Sequence, residues 1–175
     1  MSVPGNIGRR AFLAGGASGA ALVAGTARAQ DTPAANADGA FTYEIRRSPE
    51  EWRAQLSEDE YSILRDGRTE PNWTSSYAKE NNPGTYHCVG CNLPVYRSEH
   101  WQELPIGFVF FTHAIPNAVL TGIDTTDYNG ALPEPLELIE VHCRRCGSHF
   151  GHVIVFDGAT PLHCINGTAL SLQSA

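Results

Sequence analysis

Val141-His142-Cys143-Arg144-Arg145-Cys146-Gly147-Ser148-His149-Phe150-Gly151-His152-Val153 is the stretch of sequence that decides the fold. It joins a Cys-x-x-Cys pair, Cys143 and Cys146, to two histidines, His149 and His152. A spacing of two residues lets both sulfurs of one turn bind the same ion. The Gly after the second cysteine favours such a turn between two strands. The stretch therefore predicts half of a metal site beside a pair of imidazoles.

The other half of the predicted metal site lies upstream, in Cys88 and Cys91. Four thiolates satisfy the tetrahedral coordination of structural zinc and leave no open position for substrate, so we expect a structural Zn²⁺ bound by Cys88, Cys91, Cys143 and Cys146. Two disulfides, or a single redox-active pair, are the alternatives in an oxidising compartment. The chain shows no thioredoxin-like βαβ pattern, which favours the metal.

Cys164 is the fifth cysteine and belongs to neither Cys-x-x-Cys pair. A buried, inert thiol on a core strand is one interpretation. The other is catalytic, because a hairpin turning over residues 157–161 would bring Cys164 beside the strand that carries His149 and His152. An imidazole can assist a thiol by accepting or supplying a proton. The sequence pattern alone leaves both interpretations open.

The net negative charge of the chain excludes nucleic acid as a partner. The chain of 175 residues has 12 Lys and Arg against 19 Asp and Glu, a formal net charge of -7, and its only lysine is Lys79. Binding to a phosphate backbone needs clustered basic side chains. No apolar run reaches the roughly 18 residues that a membrane-spanning helix needs. The composition predicts one globular domain with a short appendage.

Residues 1–29 are predicted to be a twin-arginine export signal. They contain Arg9-Arg10, an Ala- and Gly-rich apolar stretch, the small-x-small site Ala27-Arg28-Ala29 and no acidic residue. This pattern is typical of export to the periplasm, with no stable membrane anchor once the signal is removed. Residues 30–41 are predicted to be a linker, and residues 42–175 the working domain. Loss of three arginines leaves 9 basic against 19 acidic residues, a net charge of -10.

The working domain is predicted to be mainly β, with short helices at its start. Ser48-Pro49-Glu50-Glu51 is a capping box that opens one helix, and Ser57 with Glu60 opens a second. Short runs rich in β-branched and aromatic residues, separated by turn residues, then predict antiparallel strands. These runs are 85–88, 94–96, 108–113, 136–143, 149–156 and 162–166. Residues 97–135 are otherwise expected to form a long irregular insertion.

Three motifs together resemble the B-type methionine sulfoxide reductases. They are Pro83–Cys91, Val141–Val153 and the stretch His163-Cys164-Ile165-Asn166-Gly167-Thr168-Ala169-Leu170. They occur in the family's order and with its spacings, and the likeness covers roughly residues 50–172. The resemblance implies two antiparallel sheets with a zinc site away from the active site. It also implies reduction of the R epimer of methionine sulfoxide, free or in proteins.

The resemblance assigns the site residues one by one. Cys164 matches the nucleophile, which becomes a sulfenic acid when methionine leaves. His149 and His152 match the two active-site histidines. Asn166 matches an asparagine that helps to order the site.

Two departures from the family pattern affect substrate binding and recycling. The family's Gly-Trp-Pro-Ser-Phe segment is replaced by residues 104–111, in which Phe108 is nearest to the position of the tryptophan. We expect Phe108 to contact the substrate methyl group, although a purely structural role in a core strand is equally open. Residues 92–142 hold no resolving cysteine, so we expect an external thiol, such as a thioredoxin-like protein, to reduce Cys164.

A non-catalytic zinc-stapled β module that binds a small ligand or peptide is the alternative function. A monomer is assumed.

Overall fold

A computed structural model describes residues 41–126, 133–156, 158 and 160–175. The predicted export signal, residues 1–29, and nearly all of the predicted linker lie outside the described residues. So do Asp157 and Ala159, within the predicted hairpin turn of residues 157–161. Within the described ranges, no helix is long and apolar enough to cross a membrane.

Both predicted helices are present, and capping boxes start them. Helix α1 spans Pro49–Gln55 and helix α2 spans Glu58–Leu64. In each, the Ser side chain before the helix accepts a hydrogen bond from the backbone of the Glu three residues later, and that Glu accepts one from the Ser backbone. The exchange satisfies two N–H groups that the first turn would otherwise leave without partners.

In the part of the chain that the structure describes, nine strands form two antiparallel sheets, which confirms the predicted fold class. The three-stranded sheet has the order β2-β1-β9, and the six-stranded sheet the order β3-β4-β8-β7-β6-β5. The strands are β1 Gly84–Cys88, β2 Pro94–Arg97, β3 Trp101–Gln102, β4 Val109–Phe111, β5 Val119–Thr126, β6 Leu136–Cys143, β7 His149–Val155, β8 Pro161–Ile165 and β9 Leu170–Ser174.

The prediction of an irregular segment over residues 97–135 is wrong for β3 and β5. Strand β5 pairs with β6 along all eight of its residues. Its sequence, Val119 to Thr126, contains Gly122, Asp124 and three threonines, so it lacks the alternation of apolar and polar residues that identifies a strand. The pairing with β6, the next strand along the chain, stabilises it. Strand β9 also lies beyond the predicted runs and pairs with β1.

The core lies between the two sheets. One face of the six-stranded sheet carries Val109, Phe111, Val141 and Ile165, all fully buried. The Phe111 ring stacks on Tyr96 of β2, with centroids 4.2 Å apart and planes 14° from parallel. Side chains alternate between the faces of a strand, so the neighbours of these core residues point to the opposite face. That opposite face carries the candidate site.

Candidate active site and metal centre

Directly opposed residues form a row across the six-stranded sheet. Glu140 of β6 is paired with His152 of β7, His152 with Cys164 of β8, and Cys164 with Phe110 of β4. Cross-strand partners project their side chains to the same face, with Cβ atoms about 5 Å apart. The structure therefore brings Cys164 and His152 together, as the predicted hairpin requires.

Cys164 lies in a largely apolar environment. Burial raises the pKa of its thiol to about 12, and the nearby Glu70 carboxylate adds to this rise. Phe110, its cross-strand partner, is fully buried. Among the described residues, no hydrogen bond reaches the sulfur. The thiol is therefore protonated at neutral pH, and its ionisation requires a proton acceptor.

Asp124 orients His152. The Nε2 atom of His152 lies 2.8 Å from Oδ2 of Asp124, on edge strand β5. Burial lowers the pKa of His152, and the hydrogen bond to Asp124 offsets part of this effect. A neutral imidazole that donates its Nε2 proton to Asp124 leaves Nδ1 as an acceptor. His152 is thus a buried base fixed in one tautomer.

Glu140 holds His149 and also contacts a third histidine, His142. Its Oε1 lies 2.7 Å from Nδ1 of His149, and its Oε2 lies 3.2 Å from Nδ1 of His142. The second contact is a close approach without hydrogen-bond geometry. Burial alone would raise the pKa of Glu140, but the two imidazoles outweigh it and lower the pKa to about 2. Glu140 is therefore a carboxylate at all ordinary pH values.

A small cleft opens beside Glu140, His142 and His149. Leu64, Arg65 and Gly67 line one side, and Glu140, His142, Gly147 and His149 line the other. The Nε2 atoms of His142 and His149 are buried and have no hydrogen-bond partner among the described residues. A buried imidazole nitrogen without a partner is costly, so it marks a position for water or substrate oxygen.

The Asn166 side chain fixes the end of β8. Its Nδ2 donates to the carbonyl of Phe150 at 2.9 Å, and its Oδ1 accepts from the backbone N–H of Glu70 at 3.0 Å. The Glu70 carboxylate in turn accepts hydrogen bonds from the backbones of Gly167 and Thr168 at 2.7 and 2.9 Å. Asn166 therefore ties the backbone next to Cys164 to the strand of Phe150 and the segment of Glu70, and its role in the reaction stays a prediction.

Phe108 precedes β4 and is partly exposed, whereas Phe110 is the aromatic residue opposite Cys164. The sequence identified the segment but not the residue in register with the sulfur, since register depends on how β4 and β8 pair. The contact of Phe108 with substrate stays a prediction.

The four remaining cysteines group together as predicted. All four sulfurs lie within 4.8 Å of one another, with Cys91 and Cys143 separated by 3.5 Å and Cys88 and Cys146 by 3.8 Å. Zinc–sulfur bonds of about 2.3 Å in a tetrahedron place sulfurs about 3.8 Å apart. The donor set and its spacing therefore fit one tetrahedral metal ion, and no disulfide joins any of the cysteines.

The two halves of this metal centre are similar turns at strand ends. Cys88 ends β1 and Cys143 ends β6, and the turns close through hydrogen bonds to their carbonyls from Asn92 at 2.7 Å and Gly147 at 2.9 Å. Asn92 and Gly147 both have positive φ values, 59° and 69°. Because β1 and β6 belong to different sheets, a bound ion would tie the two sheets together.

A family model described as the SelR domain matches residues 56–174. The chain belongs to the SelR family. The match begins at the end of α1 and runs to the last strand, so it includes Cys164, both histidines of the 149–152 segment and the metal centre. The SelR family membership confirms the resemblance seen in the sequence motifs.

Several relatives of this SelR chain have curated names. Peptide methionine sulfoxide reductase B3 of Arabidopsis thaliana is 38% identical over 135 residues, which cover 75% of this chain and 72% of the relative. Peptide methionine sulfoxide reductase MsrB of Leptospira interrogans is 31% identical over 136 residues, covering 76% and 98%. The MsrB of Methylibium petroleiphilum is 30% identical over 132 residues, covering 74% and 91%. The SelR chain is accordingly an oxidoreductase of the methionine sulfoxide reductase B class.

Sequence reasoning missed the carboxylates of the site. Asp124, Glu140 and Glu70 each contact a candidate residue, but they are 28, 9 and 96 residues from their partners His152, His149 and Asn166. Glu140 lies two residues before His142 on a predicted strand, so the sequence could have placed both side chains on the same face of the sheet. Asp124 and Glu70 carried no such local signal.

Proposed function

We propose that the protein reduces the R epimer of methionine sulfoxide to methionine, with Cys164 as the nucleophile. The observation that carries this proposal is the cross-strand pairing of Cys164 with His152 on the face that also holds Glu140 and His149. The family match and the names of the relatives give independent support for the reaction class.

In the proposed reaction, the Cys164 sulfur attacks the sulfoxide sulfur. His152, with Nε2 hydrogen-bonded to Asp124, accepts the thiol proton on Nδ1. The sulfoxide oxygen takes a proton from Nε2 of His149, whose imidazolium form the Glu140 carboxylate would stabilise. The hydroxyl then moves to the Cys164 sulfur as its bond to the substrate sulfur breaks. The bond between the two sulfurs also breaks, one electron pair remains on the methionine sulfur, and the departing methionine leaves Cys164 as a sulfenic acid. The thiol is oxidised and the sulfoxide is reduced.

Recycling requires two electrons from outside the chain. The other four cysteines form one group that could hold a metal ion. We infer that two thiols of a thioredoxin-like protein reduce the sulfenic acid, which yields their disulfide, water and free Cys164.

We also propose that the ion held by Cys88, Cys91, Cys143 and Cys146 is zinc. Four cysteine ligands are typical of structural zinc, and a bound ion would supply stability and no reaction step. Metal analysis of purified protein should give close to one zinc per chain. Zero zinc, or a different metal at one per chain, would contradict this assignment.

Export by the twin-arginine route to the periplasm is a further proposal, supported by Arg9-Arg10 and the acid-free signal-like segment. N-terminal sequencing of exported protein should start at Gln30. Replacement of both arginines by lysine should retain the protein in the cytoplasm. An intact Met1 on exported protein would contradict the proposal.

The function is tested with R and S methionine sulfoxide, dithiothreitol and purified metal-loaded protein. We expect turnover of the R epimer alone, complete loss in Cys164→Ser and large loss in His149→Asn. The exposed His113 provides a matched control, because His113→Asn should retain activity. Binding of methionine sulfoxide without turnover would favour the non-catalytic module instead.

A further inference from the structure

Trp73 has an unusual backbone conformation for an aromatic residue. Its φ is 67°, in the left-handed region, and its side chain is 43% exposed. Non-glycine residues pay about 1 kcal/mol or more for this conformation because Cβ approaches the backbone carbonyl. Backbone strain of this kind persists where the surrounding structure fixes it and clusters at functional sites, so the half-exposed indole is a candidate for contact with substrate.

Neighbouring contacts fix Trp73 in place. Its backbone N–H donates to the carbonyl of Gly107 at 2.8 Å. Three residues earlier, the Glu70 carboxylate is bound by the backbones of Gly167 and Thr168. The segment is thus held at two points. Glu70 binds the loop that follows Cys164, and Trp73 binds Gly107, the residue before Phe108.

Gly107 leaves the space that the indole occupies. A Cβ atom at Gly107 would lie 2.6 Å from the Trp73 nitrogen and 2.8 Å from Cδ1 and Cδ2 of the indole. The φ of Gly107, 82°, is also in the left-handed region. Only glycine combines this conformation with so close a neighbour. The indole therefore lies directly on the chain that leads into β4.

Trp73 and residues 104–108 together form the rim of the candidate active site. Phe110, three residues after Gly107, is opposite Cys164, and about three residues of extended chain span roughly 10 Å. Glu70 contacts Asn166, two residues after the same cysteine. A methionine side chain that reached Cys164 would thus leave its backbone and flanking residues within reach of the indole.

The chemistry of the rim favours a polypeptide over a free amino acid. Free methionine sulfoxide carries an ammonium and a carboxylate at the end that would meet the rim. The rim chain, however, reads Leu104-Pro105-Ile106 before Gly107 and is followed by Phe108. Indole and aliphatic surfaces bind the uncharged backbone and apolar side chains of a peptide.

We propose that Trp73 is a specificity-determining residue, whose indole contacts the polypeptide that flanks an oxidised methionine. This inference rests on the proposed function, because it names the substrate class of the same site. It also assigns an aromatic surface to a chain that lacks the tryptophan of the Gly-Trp-Pro-Ser-Phe segment.

The test compares steady-state kinetics on a blocked peptide containing R methionine sulfoxide and on free R methionine sulfoxide. In Trp73→Ala, KM for the peptide should rise about fivefold to tenfold, which is the range expected for one lost aromatic contact, with kcat nearly unchanged. KM for the free amino acid should change less than twofold. Trp73→Phe should restore most of the peptide KM.

Two further variants separate binding from folding. Trp73→Gly removes the indole but suits the left-handed backbone, so it should show the raised peptide KM at a thermal stability no lower than that of Trp73→Ala. Ile123→Ala, which removes an exposed apolar side chain from the other face of the sheet, should leave both KM values unchanged. Equal KM changes for both substrates, or none, would overturn the role of Trp73 while wild-type turnover still supports the proposed function. Absence of turnover by the wild-type protein with either substrate would contradict both.

Discussion

Cys164 and His152 are directly opposed on strands β8 and β7, with both side chains on the face of the sheet away from the core. The pairing places a thiol of raised pKa beside an imidazole of lowered pKa, and burial is the main cause of both shifts. Each group is neutral at rest, which avoids the cost of burying an ion pair.

Replacement of Asp124 by Asn should shift the pH dependence of activity. The Asp124 charge favours protonated His152, so its removal lowers the pKa of His152 further. If neutral His152 is the base, the acidic limb of kcat/KM moves to lower pH, and the loss of orientation reduces kcat by roughly tenfold to a hundredfold. A pH–rate profile measures both effects. An unchanged acidic limb would show that His152 is not the base.

Glu140→Gln should reduce the acid sensitivity of the fold. The Glu140 pKa in the folded protein, about 2, is below its ordinary value of 4.5, so its contribution is present above about pH 4.5 and is lost as the pH falls toward 2. The shift corresponds to stability on the order of 3 kcal/mol. Urea unfolding at pH 7 and pH 3 measures it.

The wild type should lose more stability than Glu140→Gln over that pH interval. Glu137→Gln, on an exposed position of the same strand, is the matched control and should behave like the wild type. Identical pH dependence in Glu140→Gln and the wild type would contradict the assigned role of the carboxylate.

Glu70→Gln should increase the reactivity of Cys164. Burial and the Glu70 charge both raise the pKa of this thiol, so removing the charge lowers it. Alkylation by iodoacetamide, followed by mass spectrometry as a function of pH, should show modification of Cys164 beginning at lower pH in the variant. Glu80→Gln, an exposed glutamate, is the control. A higher apparent pKa in Glu70→Gln would show that its backbone hydrogen bonds matter more than its charge.

Removal of the metal should weaken the contact between the two sheets. The cysteines come from turns of different sheets, so binding of the ion is coupled to their packing. Chelation, or Cys91→Ser at the partly exposed ligand, should lower Tm by about 10 °C or more, which corresponds to a few kcal/mol for a domain of this size. Circular dichroism with parallel metal analysis measures it. An unchanged Tm in metal-free protein would contradict a structural role.

The sequence alone predicted the features that depend on local spacing. Ser48 with Glu51, and Ser57 with Glu60, are three residues apart, which is the spacing that lets the first turn of a helix form these hydrogen bonds. The Cys-x-x-Cys pairs likewise fix two sulfurs within one turn. The three family motifs then identified the family, because they occur in its order and with its spacings over most of the chain.

Only the tertiary structure decided which residues surround Cys164. Strand β5, which supplies Asp124, has no strong pattern of its own and forms through pairing with β6. Phe110 rather than Phe108 is opposite the sulfur, because the register in which β4 pairs with β8 sets the cross-strand partner of Cys164. Glu70 reaches the site from a segment about 90 residues away along the chain. Helix turns and metal knuckles depend on neighbours in sequence, whereas a site on a sheet depends on strand register, which is set by the packing of the whole domain.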